Sequence, residues 1–479
     1  MSNSSLKTMP IGEAFKKLSR AEQELDFFNL SYFGVPVWIY PREDVSFILN
    51  GMAQSSGQFA PHFRINVFVF LSRIFYFFIN FYKIFNNEVI IFTNERHLQW
   101  DEKEQRYYNP YAELAIESNK FKKVLIFEFF TGMTKKYKKI KYKKYLPLDF
   151  FVGAKQILSP LSFFFPFKIK REFNGKLDGA NLWSEQDKKK IIGLCVAAGY
   201  SINYYGLILK FIKILNPKAK SIYSCMAAFD KFPEVIEIQH GAIVKYHCQY
   251  IYPKTESIKD YLKNKKIIVF SDRVKKLFYE NEYSSENILV KPNPKIYFYY
   301  LKNLGRDFFE KKHITNKITI VSGFGWNFYQ IYKEFLLSIE KNKDKLSNWE
   351  FFLLLHPVEE NVYKELGLTK VKIFKNEEAS LWGLLSESLC MVNIYSSVME
   401  ESPYFGCFNV ILENKELGEQ KYFSDWLCGD YPNKEFVVPE NFAEWLLKNE
   451  QKMINHRQEK LKIMENNYKF FVEHKINGT

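Results

Sequence analysis

Three groups of residues in this chain have the types and spacing for acid–base and phosphate chemistry. The first is Gln239-His240-Gly241, which follows the apolar run Val235-Ile236-Glu237-Ile238. A histidine at such a strand exit can act as a general base, since its unperturbed pKa is about 6.5. A loop histidine with structural hydrogen bonds fits the same residues. The second group is His356-Pro357, closing the run Phe351 to Leu355. Proline stops a strand and turns the chain, which leaves the imidazole at the tip. The third is Tyr395-Ser396-Ser397 with Glu401, after Met391 to Ile394. Serine caps and unpaired N–H groups at a helix start attract anions. On a helix Ser397 and Glu401, four apart, share a face, so phosphate at the serines and a ribose hydroxyl on the carboxylate fit. An ordinary capped helix fits equally.

Weaker signals lie nearby. Gly323 and Gly325 follow Ile318 to Val321 and let backbone N–H groups approach a phosphate at the next helix. Glu95, Arg96 and His97 crowd the exit of Glu88 to Phe92, as substrate contacts or as a surface ion pair. His247 trails the Gln-His-Gly turn, and Gly51 to Gly57 is a small-residue loop.

These groups all need strands to deliver them. Runs at 35–40, 88–92, 123–130, 221–223, 235–238, 266–270, 287–291, 318–321, 351–355, 391–394 and 408–412 read as strands. Between them, 188–215, 226–231, 272–281 and 442–466 read as helices, and 295–316 as a charged connection. Such alternation makes a doubly wound α/β sheet, where ligands bind beyond the carboxyl ends of the strands. The expected division is one Rossmann-like domain over 1–255, a second over 256–435 and closing helices over 436–479.

The net charge of +14 calls for an anionic partner. No zinc finger, basic zipper or RNA-recognition motif is visible, so nucleic acid is not expected. Seven lysines lie between Lys135 and Lys144, interleaved with Tyr137 and Tyr142 and followed by an aromatic stretch to Phe165. Lys135, Lys136, Lys138, Lys139, Lys143 and Lys144 are therefore expected to meet an anionic membrane, at about 1 kcal/mol each. A solvated basic loop before a core helix is the alternative. Val67 to Phe85 is very apolar, but Arg73, Asn80 and Lys83 make it a buried or surface-lying helix rather than a span. Six scattered cysteines with no CxxC pair and a polar N-terminus suggest a reducing, cytoplasmic setting.

The ordered set of Gln-His-Gly, His-Pro and Ser-Ser with Glu401 resembles GT-B glycosyltransferases of bacterial surface polysaccharides. It is similar to capsule transferases for sialic acid and Kdo, and to teichoic-acid glycerophosphate transferases. The resemblance spans about Pro217 to Leu412 and implies two Rossmann-like domains facing across a cleft, with a CMP- or CDP-linked donor. It implies His240 as catalytic base or acceptor-side residue, with Glu95 as rival base. His356 and Pro357 would meet the donor's nucleotide and phosphate, Ser396 and Ser397 its phosphate, and Glu401 its ribose. Gly323 and Gly325 would floor the cleft, and Gln239, Arg96, His97 and His247 would face the acceptor.

No DxD motif is present. Histidine, serine, helix N-termini and lysine can stabilise a leaving phosphate, so no metal or other cofactor is expected. The expected activity is an inverting, metal-independent transfer from a nucleotide sugar to a polysaccharide or lipid-linked glycan, by a protein peripheral to the inner membrane. The rivals are a UDP- or GDP-sugar transferase, a nucleotide-sugar 2-epimerase of the same fold, and a non-catalytic membrane- or polyanion-binding protein.

Overall fold

The computed structural model describes residues 11–49, 81–94, 98–101, 104–113, 123–129, 145–147, 165–178, 181–225, 229–239, 243, 247–304, 307–310, 316–322, 326–356, 362–375, 378–394, 396–413 and 434–476. Two compact units, Met1–Phe298 and Tyr299–Thr479, each carry one parallel sheet.

In the first unit the strands of the parallel sheet are β1 (Val89–Asn94), β2 (Val124–Phe129), β3 (Tyr145–Pro147), β4 (Ser221–Ser224), β5 (Ile236–Ile238), β6 (Lys266–Val269) and β7 (Ile288–Val290). They lie in the order β7-β6-β5-β4-β1-β2-β3, every pair parallel. The β1 sequence Val-Ile-Ile-Phe-Thr is buried throughout, as a central strand covered on both faces must be. Its alternation feeds two cores. Ile90 and Phe92 join Leu125, Phe127, Ile222 and Ile267 on one face, while Val89 and Ile91 join Ile126, Tyr223, Ile238 and Ile268 on the other.

Helices α1 (Ile11–Leu25), α2 (Arg42–Leu49), α3 (Phe165–Asp178), α4 (Glu185–Leu215), α5 (Glu256–Asn264) and α6 (Asp272–Glu280) belong to this unit. Ser184 caps α4 by accepting from the Asp187 N–H at 3.2 Å, and Asn216 closes it with an N–H bond to the Ile212 carbonyl. By length and composition α4 is apolar enough to cross a membrane. One face of it, with Ile191, Cys195, Ile202 and Ile212, is built into the first core.

The second unit has β8 (Lys317–Val321), β9 (Glu350–Leu354), β10 (Val371–Phe374), β11 (Cys390–Asn393), β12 (Phe408–Leu412) and β13 (Lys434–Val437). Their order is β10-β9-β8-β11-β12-β13, again all parallel. Counted within the unit this is 3-2-1-4-5-6, the doubly wound dinucleotide-fold order. Helices α7 (Trp326–Lys341), α8 (Leu381–Glu387) and α9 (Phe442–Ile476) accompany it. From α7, Phe335 and Ile339 pack with Phe442 and Leu446 of α9 over Ile318, Phe351 and Val392. The expected pair of Rossmann-like domains is present.

Several expectations change. Residues 256–298 belong to the first unit, because β6 and β7 extend the sheet from β5. The division therefore falls after Phe298 rather than at 255. Residues 35–40 hold only the two-residue strand Val35–Pro36, followed by a 3-10 turn at Val37–Ile39. Pro36 has no N–H with which to continue a ladder. Phe229 to Lys231 form a turn where a helix over 226–231 was expected. The supposed connection at 295–316 contains helical segments, Pro294–Tyr299, Tyr300–Leu304 and Asp307–Glu310. Of the apolar stretch 67–85, the described part is the short turn Phe81–Ile84 and Phe85.

Candidate functional site

In a doubly wound sheet the strand order reverses at one point, and the crevice beyond the strand ends there is where ligands bind. In the second unit that point lies between β8 and β11. The chain leaves β8 at Ser322, 2% exposed, whose Oγ accepts the His356 N–H at 2.8 Å. The Ser322 N–H donates to the Leu354 carbonyl at 3.1 Å. Ser322 thus sews the ends of β8 and β9 together and sets where His356 emerges. On the other side, Tyr332 of α7 donates its hydroxyl to the Val321 carbonyl at 2.7 Å and accepts the Ile394 N–H at 3.1 Å. One phenol therefore bridges the ends of β8 and β11 across the reversal. The exits of β9 and β11 flank β8, so they stand roughly 10 Å apart at the usual strand spacing.

Beyond β11, the Ser396 hydroxyl accepts the Val398 N–H at 3.2 Å. The segment it caps differs from the expected helix. It is a 3-10 turn at Ser397–Glu400, then a second at Ser402–Phe405 closed by Gly406 at φ +76°. With three residues per turn, Ser397 and Glu401 no longer share a face, so the helical argument that paired them fails. Glu401 sits between the two turns, and its Oε2 accepts from Trp382 Nε1 of α8 at 2.9 Å. Ser322, Tyr332 and Trp382 were missed by motif reading. Ser322 carried one usable signal, its place between a strand and Gly323.

In the first unit the reversal lies between β1 and β4. Thr93, at 0% exposure, accepts from Asn109 Nδ2 at 2.6 Å and from the Cys225 thiol at 3.1 Å. The Cys225 N–H donates to the Phe92 carbonyl at 3.0 Å. Asn109 Oδ1 in turn accepts the Tyr111 and Ala112 N–H groups at 3.1 and 3.3 Å. This knot fixes the end of β1, from which Glu95, Arg96 and His97 depart.

Gln239, at the exit of β5, is 2% exposed and serves the sheet. Its N–H donates to the Ile268 carbonyl at 2.9 Å, and its Oε1 accepts the Phe270 N–H at 3.0 Å. The side chain expected to face an acceptor instead clamps β5 to β6 just before His240. His247 is half-buried. Its Nδ1 accepts the Gln249 N–H at 3.3 Å, and its ring meets the Tyr250 ring edge-on at 4.9 Å.

Beneath this exit lies a cluster of buried charges absent from any motif. Asp230, Lys231, Glu237 and Lys265 are each 3% exposed or less. Lys265 Nζ stands 3.3 Å from Glu237 Oε2, and Lys231 Nζ 3.9 Å from Asp230 Oδ1. Neither Asp230 oxygen has a hydrogen bond among the described residues. Burial pushes the Asp230 carboxyl from 3.8 up to about 7; Lys231 pulls it down and Glu237 pushes it up. Such burial-perturbed groups are enriched at functional sites, and structural ion-pair networks produce them too.

The folded state therefore holds a proton on Asp230 that the unfolded chain has already lost between pH 4 and 7. By linkage, stability from this group falls as pH rises through that window, by about 1.4 kcal/mol per unit, and is flat above it. Denaturant unfolding of the wild type and Asp230→Asn at pH 5 and pH 7.5 checks this. The wild type should lose on the order of 3 kcal/mol relative to the variant between the two. Parallel pH slopes would refute it.

The described residues thus include Gln239, His247, His356, Ser396, Ser397 and Glu401. His240, Glu95, Arg96, His97, Gly323, Gly325, Pro357 and Lys135, Lys136, Lys138, Lys139, Lys143 and Lys144 lie outside them, as does the loop 51–57.

No family model and no curated protein matches this chain. Among solved structures it is similar to UDP-GlcNAc 2-epimerase from Neisseria meningitidis bound to UDP-GlcNAc, at 14% identity over 81% of this chain and 99% of that one, with a TM-score of 0.45. It is also similar to the wall teichoic acid polymerase TagF, at 12% identity over 84% and 89% of the two chains, with a TM-score of 0.45. A putative UDP-N-acetylglucosamine 2-epimerase from Listeria monocytogenes gives 9% identity, 82% and 97% coverage and a TM-score of 0.42. Likeness at this level assigns no reaction to the chain.

Proposed function

We propose that this protein is a GT-B-type glycosyltransferase that takes a sugar from a CMP- or CDP-linked donor and adds it to a bacterial surface glycan. One observation carries the donor half of the reading. Ser322, His356 and Ser396 leave three neighbouring strands, β8, β9 and β11, at the reversal point of a 3-2-1-4-5-6 sheet. A nucleotide diphosphate at that point would meet the His356 imidazole and the Ser396 hydroxyl, which can stabilise a leaving phosphate by hydrogen bonding and charge. The Trp382 bond holds the Glu401 carboxylate, and Glu401 takes the ribose. His240, leaving the Gln239 clamp, takes the acceptor's proton, with Glu95 as the other candidate base. The lysines from Lys135 to Lys144 bring the enzyme to an anionic inner-membrane surface and its lipid-linked acceptor.

The test is a thermal-shift panel of CMP, CDP, UDP, GDP and ADP on the wild type and on His356→Ala. A ligand that binds only the folded protein stabilises it by mass action, about 2.7 kcal/mol at a hundred times its Kd. A cytidine nucleotide should raise the melting temperature of the wild type and not of the variant. A shift with UDP or GDP alone would reject the cytidine donor. No shift with any nucleotide would reject the transferase reading.

A further inference from the structure

One side chain ties the long helix α9 to the two elements that carry Trp382 and Glu401. Arg457, 2% exposed, donates from Nη1 to the Ser388 carbonyl at 2.5 Å and to the Phe405 carbonyl at 3.0 Å. Its Nη2 donates to the Ser386 carbonyl at 2.6 Å. Ser386 and Ser388 lie at the end of α8, and Phe405 ends the second 3-10 turn. The last carbonyls of a helix have no partner within it, and a cation there also suits the helix dipole. A planar guanidinium with five N–H donors spans both elements at once, which a compact ammonium does not.

One turn away from each of these anchors, the same two elements meet again. Trp382 of α8 donates to Glu401, the residue that opens the second turn, at 2.9 Å. The Tyr299 ring packs edge-on against both elements, 5.3 Å from Trp382 and 5.8 Å from Phe405. Arg457 therefore pins one end of the pair, and the bond from Trp382 to Glu401 closes the other. The Cys407 thiol adds two weaker bonds, to the Leu385 and Ser388 carbonyls at 3.1 and 3.2 Å. Little slack remains where the turn meets α9. A Cβ on Gly406 would come within 2.9 Å of Arg457 Cγ and 3.2 Å of the Arg457 carbonyl oxygen.

We propose that Arg457 is a positioning residue for the donor site, setting α8 against the second 3-10 turn so that the Trp382 indole N–H meets the Glu401 carboxylate. Its effect on donor binding rests on the transferase reading above, in which Glu401 takes the ribose; its effect on the indole does not. A carboxylate fixed before the ligand arrives costs the ligand less to engage than one that must first be ordered.

The test uses the full chain with 15N-labelled tryptophan, the Trp382 indole N–H being assigned by its loss in Trp382→Phe. Arg457→Met should move that resonance and speed its exchange with solvent, while the Trp38, Trp183 and Trp349 indoles stay in place. The same variant should raise donor KM at least tenfold and leave kcat at saturating donor unchanged, a split that general destabilisation does not produce. If Arg457→Met fails to fold, Arg457→Lys, which keeps the charge but loses the planar fork, decides by the same readouts. A folded variant with an unmoved Trp382 resonance would overturn the proposal. So would a moved resonance with unchanged donor KM. If the wild type shows no transfer, the function reading fails and the indole resonance still decides whether Arg457 sets the bond to Glu401.

Discussion

Glu22→Leu is expected to destabilise the first unit by about 3–5 kcal/mol, the cost of stripping the partner from a fully buried charge. Arg42 and Glu22 both have 0% side-chain exposure and form a two-pronged pair, Nε to Oε1 at 2.5 Å and Nη2 to Oε2 at 2.9 Å. Trp38 Nε1 also donates to Glu22 Oε1 at 2.6 Å. The guanidinium lies near the rings of Phe15 and Tyr252, at 5.3 and 4.9 Å. Arg42 also carries the carbonyls of Cys248 and Ile251, so the loss reaches the loop after the β5 exit. Removing both charges with Glu22→Leu and Arg42→Met together should recover part of the stability, since a buried pair and an apolar pair often weigh alike. Urea unfolding of the two variants measures this. A Glu22→Leu loss under about 1 kcal/mol would show that water or a rearranged acceptor reaches the guanidinium.

His240→Ala is expected to lower kcat for transfer by about 10²–10⁴, the usual contribution of one positioned acid–base group. Nucleotide-induced stabilisation should survive, because the proposed donor contacts, His356 and Ser396, lie on the second sheet and His240 does not. The contrast with His356→Ala is the point of the experiment. His356→Ala should lose the nucleotide shift, whereas His240→Ala should lose turnover and keep it. If His240→Ala retains its rate, the base is Glu95 or another group, and Glu95→Gln becomes the informative variant.

Much of this architecture was legible because long strand runs advertise themselves. Val89 to Phe92 and Ile318 to Val321 are unbroken β-branched or aromatic stretches, and both became central strands. Which sheet a strand joins is not a local property. Nothing in Lys266 to Val269 announces that it pairs with Ile236 to Ile238, so local pattern alone places the domain boundary too early. The turn after Ser396 failed for a similar reason. Asn409 of β12 donates to the Met399 carbonyl and accepts from Ser402, and Pro403 has no N–H to reach back to that carbonyl. In a continuing α-helix the Pro403 ring would also clash with that carbonyl. The buried charges were illegible because burial and partner choice are set by the fold: Arg42 pairs with Glu22, 20 residues back, and donates to the Cys248 carbonyl, 206 residues on. The position of His356, by contrast, was legible from its neighbours alone: it leaves the end of β9, as the apolar run before it and the proline after it suggest.

The reversal in the first sheet has a consequence for how the protein is made. β1 pairs with β2 within a short stretch of chain, but its other neighbour is β4, with Thr93 and Cys225 132 residues apart. At roughly 5–20 residues per second, a ribosome needs about 7–26 s to supply that second partner. During that interval the apolar run Val89 to Phe92 has one open hydrogen-bonding edge, the kind of edge that recruits strands from other chains. The nascent chain thus spends its most aggregation-prone seconds before Ser221 emerges, and any fragment ending short of β4 keeps that edge permanently.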